Sequence, residues 1–390
     1  MVKHLVPITR HPWKKIIITL LLLAAFFSPS CCFAANYDYT YELLNHPGGS
    51  TNYRLTVSVT SSLYGYYRSK DHNLHVFDFA KFVTPYPLKP IADDLWSIYS
   101  DNEDFANGVL MIAHQIPYVE SGPQKFPVET IVENEGDCDL FSFIVASIMK
   151  AGGLDVVLLL YEAENHMNVG VHLSGEPNDA RSTVYYFTHD GKPYYMAECT
   201  GDDWRHGWRV GECPDLLKEA SARIITLENC EQLSPGQVSS SYGALQTSSL
   251  SLAVSTRFVI ARSAVTLSGS ISPALSSRNV TLYVSSSGSP SSVLVTIMSD
   301  SEGRYSYTWR PTSAGIISIR ASWSGDADYS GADSGIFKVI SVPLEWLMMG
   351  ATVIVLLIVL LVVTLATRRK TPDNLEAFEE WEAVDYPESF

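Results

Sequence analysis

The chain has 390 residues, room for two modest domains besides membrane segments, because single cores stop growing at a few hundred residues. Its formal charge of −15 weighs against a nucleic-acid partner, which needs clustered Lys and Arg to neutralise phosphates. A hydrophobic share of 46% is that of an ordinary globular protein, part of it concentrated at the two chain ends.

The first of those ends, Ile16 to Phe27, is a short apolar run preceded by Lys3, Arg10, Lys14 and Lys15 and followed by Ser28-Pro29-Ser30. That is the plan of a signal peptide, 1–34, with small residues before a cleavage point after Ala34. Cleaved or retained as an anchor, it leaves the bulk of the chain outside the cell. The Tyr-rich stretch from Asn36 to Pro90 carries no motif, although Arg54 to Thr60 alternates like a strand. Ile91 to Tyr99 and Phe105 to Ile116 place apolar residues at helical spacing.

Chemistry enters at Glu135-Gly136-Asp137-Cys138-Asp139. The following residues, Leu140 to Ala151, are apolar nearly all round and stop at Gly152-Gly153, which predicts a buried helix with a glycine end. Cys138 then sits at the helix N-terminus, where the macrodipole favours a thiolate. Asp137 and Asp139 oppose that unless they turn elsewhere, for instance into helix capping, so a histidine partner is needed. Taken alone, Cys138 reads as readily as a buried structural thiol or half of a disulfide as it does as a nucleophile.

Val156 to Tyr161 predicts a strand, and His166 to Leu173 a second one that alternates. In that alternation Met167, Val169, Val171 and Leu173 face the core, and His166, Asn168, Gly170 and His172 the opposite, polar side. Val184 to Phe187 and Tyr194 to Thr200 follow, joined through the hairpin signal Asp190-Gly191. A simple meander would leave Glu198 at the wrong end of the sheet for His166. The connection Ser174 to Thr183 is long enough to cross back, and the crossover is expected on that ground. Glu198 would then accept the proton on His166 Nδ1, aim the ring at Cys138 and stabilise its imidazolium.

Taken as an ordered set, Pro127-Val128-Glu129-Thr130-Ile131, Gly136-Asp137-Cys138, a helix ending in Ala-Gly-Gly, a strand, and a His opening the next strand resemble the transglutaminase-like superfamily. That superfamily shares its core with papain-type cysteine proteases. The resemblance covers about 102–201 and implies Cys138 as nucleophile and His166 as general base. The family's Asp-Pro-Thr falls on Glu198-Cys199-Thr200, making Glu198 the third catalytic member. Two positions depart from the pattern: Glu stands for Asp, and Asn168 occupies a place that is commonly aromatic. No cofactor and no metal is implied; Asp202-Asp203 lacks the remaining ligands of a Ca²⁺ loop.

His172 lies about 20 Å along the strand from His166 at about 3.3 Å per residue, and reads as a sheet or surface histidine. Cys199, Cys213 and Cys230 lack metal spacing, and on an oxidising side a disulfide is expected, Cys213 to Cys230 being the natural pair. Cys199, beside Glu198, is also placed to perturb the site. Gln115 is a candidate oxyanion donor by its residue type but reads better as a helix-end residue.

Gln232 to Ser249 is rich in Ser, Gly and Pro and reads as a linker, 232–249, closing a first unit of 36–231. Beyond it, 250–342 consists of short alternating strands, an all-β sandwich pattern. Thr266-Leu267-Ser268-Gly269, the run Ser301 to Trp309 and the run Ala321 to Tyr329 resemble bacterial Ig-like modules, which implies a spacer without an inter-sheet disulfide. Asn279-Val280-Thr281 is a glycosylation sequon.

Leu347 to Ala366 is an uninterrupted apolar stretch of membrane-crossing length, with Trp346 at one end and Arg368-Arg369-Lys370 at the other. The expected topology is type I, with a short acidic cytoplasmic tail, 367–390, whose partner is unknown. The fold class is therefore α+β, then an all-β sandwich, then one transmembrane helix. The expected function is acyl chemistry on peptide or isopeptide amides of an extracellular substrate, hydrolysis ahead of crosslinking. The rival expectation is a catalytically silent binding or adhesion module displayed on an Ig-like stalk.

Overall fold

The structure, a computed structural model, describes residues 36–74, 78–120, 122–286 and 289–368. The expected signal peptide and nearly all of the acidic tail, Arg369 and Lys370 included, lie outside the described residues.

The described chain is a mixed α+β protein with several antiparallel sheets and one long apolar helix at its end. It opens with strands β1 (Tyr37–Leu44) and β2 (Asn52–Val59), then helices α1 (Ser61–Arg68), α2 (Pro85–Ile98), α3 (Asn102–Ala113), α4 (Pro127–Glu133) and α5 (Cys138–Ala151). Strands β3 (Val156–Tyr161), β4 (His166–Val171), β5 (Tyr186–His189), β6 (Lys192–Ala197) and β7 (Arg223–Ile225) form one sheet in the order β5-β6-β4-β3-β7.

The order of that sheet follows from its connections. β3 and β4 form a tight hairpin whose last turn residue, Asn165, adopts a left-handed φ of 50°, a conformation Asn tolerates better than most residues. Asp190 and Gly191 both take positive φ, 48° and 75°, as a two-residue hairpin between β5 and β6 requires. The chain between β4 and β5 crosses over, so β6 pairs antiparallel with β4 (Val169 opposite Ala197) and β5 becomes the edge. Arg181 holds this crossover, its guanidinium gripping buried Glu212 at 2.9 and 2.7 Å and the carbonyls of His206 and Gly207. Glu198, one residue beyond β6, is thereby carried to the end of the sheet where β4 begins.

α5 is buried on all sides and packs on β4, β3 and the neighbouring helices. Its N-cap is Asp137, whose carboxylate accepts the Leu140 N–H, and its chain leaves through Gly152 and Gly153. Ser142 ties the helix to the sheet by donating to the Met167 carbonyl at 3.1 Å. Burial along β4 departs from the expected polar face: Asn168 and Gly170 are as buried as Met167 and Val169. The second face of the sheet is covered too, because Cys213, Leu217 and their neighbours pack on Val157, Leu159, Tyr161, Tyr194 and Met196 as a separate small core.

The segment from Asn36 to Pro90, which the sequence left without a role, joins the main core through Leu43, Leu55, Tyr67, Phe82 and Leu88. Residues 232–249 carry the strand β8 (Ser239–Ser241), which completes the sheet β1-β2-β8, and Val238 donates to the Pro87 carbonyl. The stretch expected as a linker is thus fastened to the first unit along its middle.

The remaining strands are β9 (Ser249–Leu250), β10 (Ala253–Val254), β11 (Phe258–Ile260), β12 (Val265–Ser272), β13 (Asn279–Ser286), β14 (Ser292–Met298), β15 (Arg304–Trp309), β16 (Gly315–Gly325), β17 (Ser330–Asp333) and β18 (Phe337–Val342). They form two sheets around one core that includes Trp309 and Trp323. Asp333 of β17 accepts the Ser62 N–H at 2.7 Å, so the sandwich caps the start of α1. The last helix, α6 (Leu344–Arg368), is long and apolar enough to cross a membrane, and its residues 344–367 are exposed.

Candidate active site

Cys138 is the first residue of α5 and is 8% exposed. His166 is the first residue of β4, near enough to Cys138 for that sulfur to raise its imidazole, and its Nε2 lies 3.0 Å from Glu198 Oε2. The sequence expectation assigned Nδ1 to the carboxylate; the ring is turned to present Nε2 to it instead. The turn follows from placement, since Glu198 comes from β6 beside β4 while Cys138 comes from the helix above it.

Glu198 is fully buried, and both of its oxygens are occupied. Oε2 takes His166 and the Asn168 amide at 3.3 Å; Oε1 takes the Thr200 N–H at 2.9 Å and the Thr200 hydroxyl at 2.6 Å. A buried carboxylate is costly unless paired and hydrogen-bonded, and this one is both. Burial pushes Glu198 up, but His166 and Thr200 outweigh it and hold the carboxyl below its ordinary range. Burial pulls the His166 imidazole down, while its bonds to Cys138 and Glu198 and their charges overcome that and raise it to about 10. His166 is therefore an imidazolium at neutral pH.

The two aspartates beside the sulfur behave differently. Asp137 is turned into the helix cap, as the chemistry asks. Asp139 stays near, with Oδ1 3.7 Å from the sulfur and Oδ2 accepting from Gln124 at 3.1 Å, and burial pushes its carboxyl up.

The expected disulfide is absent: Cys138, Cys199, Cys213 and Cys230 are all free thiols. Cys213 packs in the small core on one face of the five-stranded sheet and Cys230 in the main core on the other, so the sheet itself separates the pair. Cys199 is fully buried and bonded to the Ala197 carbonyl, and burial pushes its thiol far up. Gln115 has no side-chain atom to spare, with Oε1 accepting the Glu42 N–H and Nε2 donating to the Glu42 and Met111 carbonyls. His172 bonds the Pro193 carbonyl at 2.9 Å, at the far end of β4 from His166.

An open cleft of about 670 Å³ runs past His166, between Ile116, Pro117 and Tyr118 on one wall and Thr200, Asp202 and Trp204 on the other. The cleft walls were not legible in the sequence, because their residues come from loops whose positions only the sheet order fixes. His114 was also missed. It is 3% exposed at the end of α3, and its Nε2 donates to the Glu198 carbonyl at 3.0 Å. Its ring packs so closely on Gly207 that a Cβ there would lie 2.5 Å from Nδ1. Burial pulls its imidazole down, so His114 is a neutral donor.

No family model matches the chain, and no curated protein matches it. Among solved structures, a red sea bream transglutaminase is similar at 9% identity and a TM-score of 0.21, over 79% of this chain and 62% of that one. A chitin binding domain from Burkholderia pseudomallei is similar at 14% identity and a TM-score of 0.19, over 23% of this chain and 57% of that one. The likeness to transglutaminase is distant and concerns the fold alone; the chain spans about three fifths of either structure's length.

Proposed function

We propose that the protein is a membrane-anchored cysteine enzyme that cleaves or exchanges amide bonds of extracellular peptides through a Cys138-His166-Glu198 triad. The observation that carries this reading is the imidazole held 3.0 Å from a buried, fully coordinated carboxylate and raised by the neighbouring Cys138 sulfur. An imidazolium at a helix N-terminus is the environment that favours a thiolate over a thiol.

In the first step the Cys138 sulfur adds to the amide carbonyl. The S–C bond forms as the C=O π pair moves to oxygen, and the Cys138 backbone N–H faces that oxygen. The C–N bond then breaks as His166 gives its proton to the departing amine, which leaves a thioester. In the second step the neutral imidazole takes a proton from water or from a second amine. That nucleophile adds to the thioester, and the thiolate leaves to restore the ion pair. Glu198 stays ionised throughout and keeps the ring aimed, a positioning task that Thr200 and Asn168 support. Hydrolysis is favoured over exchange, since an open extracellular cleft meets mostly water.

The anchor is α6, oriented by Arg368-Arg369-Lys370 at its inner end. The sandwich of 250–342, resembling bacterial Ig-like modules, holds the catalytic unit off the bilayer as a stalk. The test is a screen of peptides and peptidoglycan-type stem peptides against the wild type and Cys138→Ala, read by product mass. Hydrolysis adds one water and exchange swaps one amine for another; products that survive Cys138→Ala would place the chemistry elsewhere, and no product from the wild type would leave the protein as a binding module.

A further inference from the structure

The mechanism needs donors for the oxygen that becomes negative, and one backbone N–H is a thin supply. Gln115, the sequence's candidate, is spent on β1 and α3. We propose that the Tyr118 hydroxyl is the second oxyanion donor, hydrogen-bonding the tetrahedral intermediate together with the Cys138 N–H. The proposal rests on the triad reading and extends it to a residue that touches the reacting atoms.

Three independent features bring Tyr118 to this place. First, its backbone is fixed beside the segment that leads into Cys138. Gly136 donates to the Pro117 carbonyl at 3.2 Å, Val119 donates to the Gly136 carbonyl at 2.8 Å, and Tyr118 and Gly136 form a parallel bridge. Second, its ring meets Phe141 edge to face at 6.1 Å. Phe141 lies three residues after Cys138 on the same helix face, so the tyrosine ring stands over the first turn of α5. Third, Tyr118 lines the same cleft as His166 and is 53% exposed, leaving its hydroxyl open to an incoming substrate.

Position 136 leaves no room for a side chain: a Cβ there would meet Phe141 at 3.0 Å and Leu140 and Thr130 at 3.1 Å, displacing the ring against which Tyr118 packs. The phenol is also in the right protonation state. Burial and the negative charges of Cys138, Asp137, Glu120 and Asp139 push it above the ordinary tyrosine value, so it keeps its proton. It donates a hydrogen bond as the S–C bond forms and the π pair settles on oxygen, and it transfers no proton.

Two probes separate this role from any other. Alkylation of Cys138 by iodoacetamide displaces iodide and develops no oxyanion, whereas N-acetylglycinal forms a tetrahedral hemithioacetal with the same sulfur. With the full chain in detergent, Tyr118→Phe is expected to leave the alkylation rate within about twofold of wild type. The same change is expected to weaken the aldehyde adduct about tenfold or more, the worth of one bond to a charged group. With a turned-over amide, kcat falls about 10²-fold and KM holds. Equal aldehyde affinity in Tyr118→Phe and wild type would overturn the proposal, as would a parallel loss of alkylation, which would mean that the ring acts on the sulfur or the fold. Failure of wild-type Cys138 to alkylate faster than an ordinary thiol would instead bring down the triad reading beneath it.

Discussion

The unit around the five-stranded sheet and the C-terminal sandwich bury polar groups of different kinds. In the first, Glu129, Glu198, Glu212 and His114 are each less than 4% exposed and bonded to partners drawn from other elements. In the sandwich the buried polar residues are almost all hydroxyls, such as Thr281, Ser299, Ser322 and Ser341. The exception, Asp333, serves the junction with α1, and burial pushes its carboxyl up. Burying ionisable groups costs several kcal/mol per ion before pairing, and among the described residues nearly all of that cost falls in the first unit.

That contrast can be broken most severely at Glu198. Glu198→Ala strands an imidazolium with one partner, and a loss of about 3–5 kcal/mol in denaturant unfolding is expected, since half of a buried pair remains. Asn168→Leu, which removes only the amide donor to the same oxygen, should cost about 1.5–3 kcal/mol, because a bond to a charged group is lost. Were the two equal, or Asn168→Leu the larger, Glu198 would not be the centre of the network.

The pH dependence sharpens the comparison further. His166 is raised from 6.5 to about 10 in the folded protein, so its pairing stabilises fully below about pH 6.5 and is lost as pH climbs through about 10. Wild type should therefore exceed His166→Asn in melting temperature at pH 6, with the gap closing towards pH 10. Glu198 works with the opposite sign: its carboxyl is depressed, so its contribution is present above its ordinary value and fades as pH falls through the lowered one. The sandwich of 250–342, by contrast, contains no histidine, so no histidine–carboxylate pair titrates there.

The smallest effect concerns the thiols. Because Cys213 and Cys230 lie on opposite faces of the sheet, dithiothreitol should shift neither melting temperature nor mobility on non-reducing gels. A reducible shift would mean that the two faces are joined and that the small core is misassigned.

Much of this was legible in residue order. The helix after Cys138, the strand Val156 to Tyr161 and the turn at Asp190-Gly191 follow from apolar runs and turn chemistry, which are local. The need for a crossover before Glu198 was also legible, because strand direction and loop length constrain it. What escaped is non-local. The second core over Asn168 depends on Cys213 and Leu217 returning across the sheet, and no alternation within β4 encodes that return. Residues 232–249 look like a linker because small polar residues suit both free chain and a short strand against β2; only the partner decides. The ring orientation of His166 likewise depends on which neighbour arrives from which side.

The most direct measurement is the rate of iodoacetamide labelling at Cys138 in the full chain, followed by mass spectrometry from pH 5 to 9 in wild type and His166→Ala. Cys138 in the wild type should label near pH 6 far faster than an ordinary cysteine, and His166→Ala should return it to the ordinary pH dependence. Labelling at pH 6 that is slow, and the same in both proteins, would contradict the account.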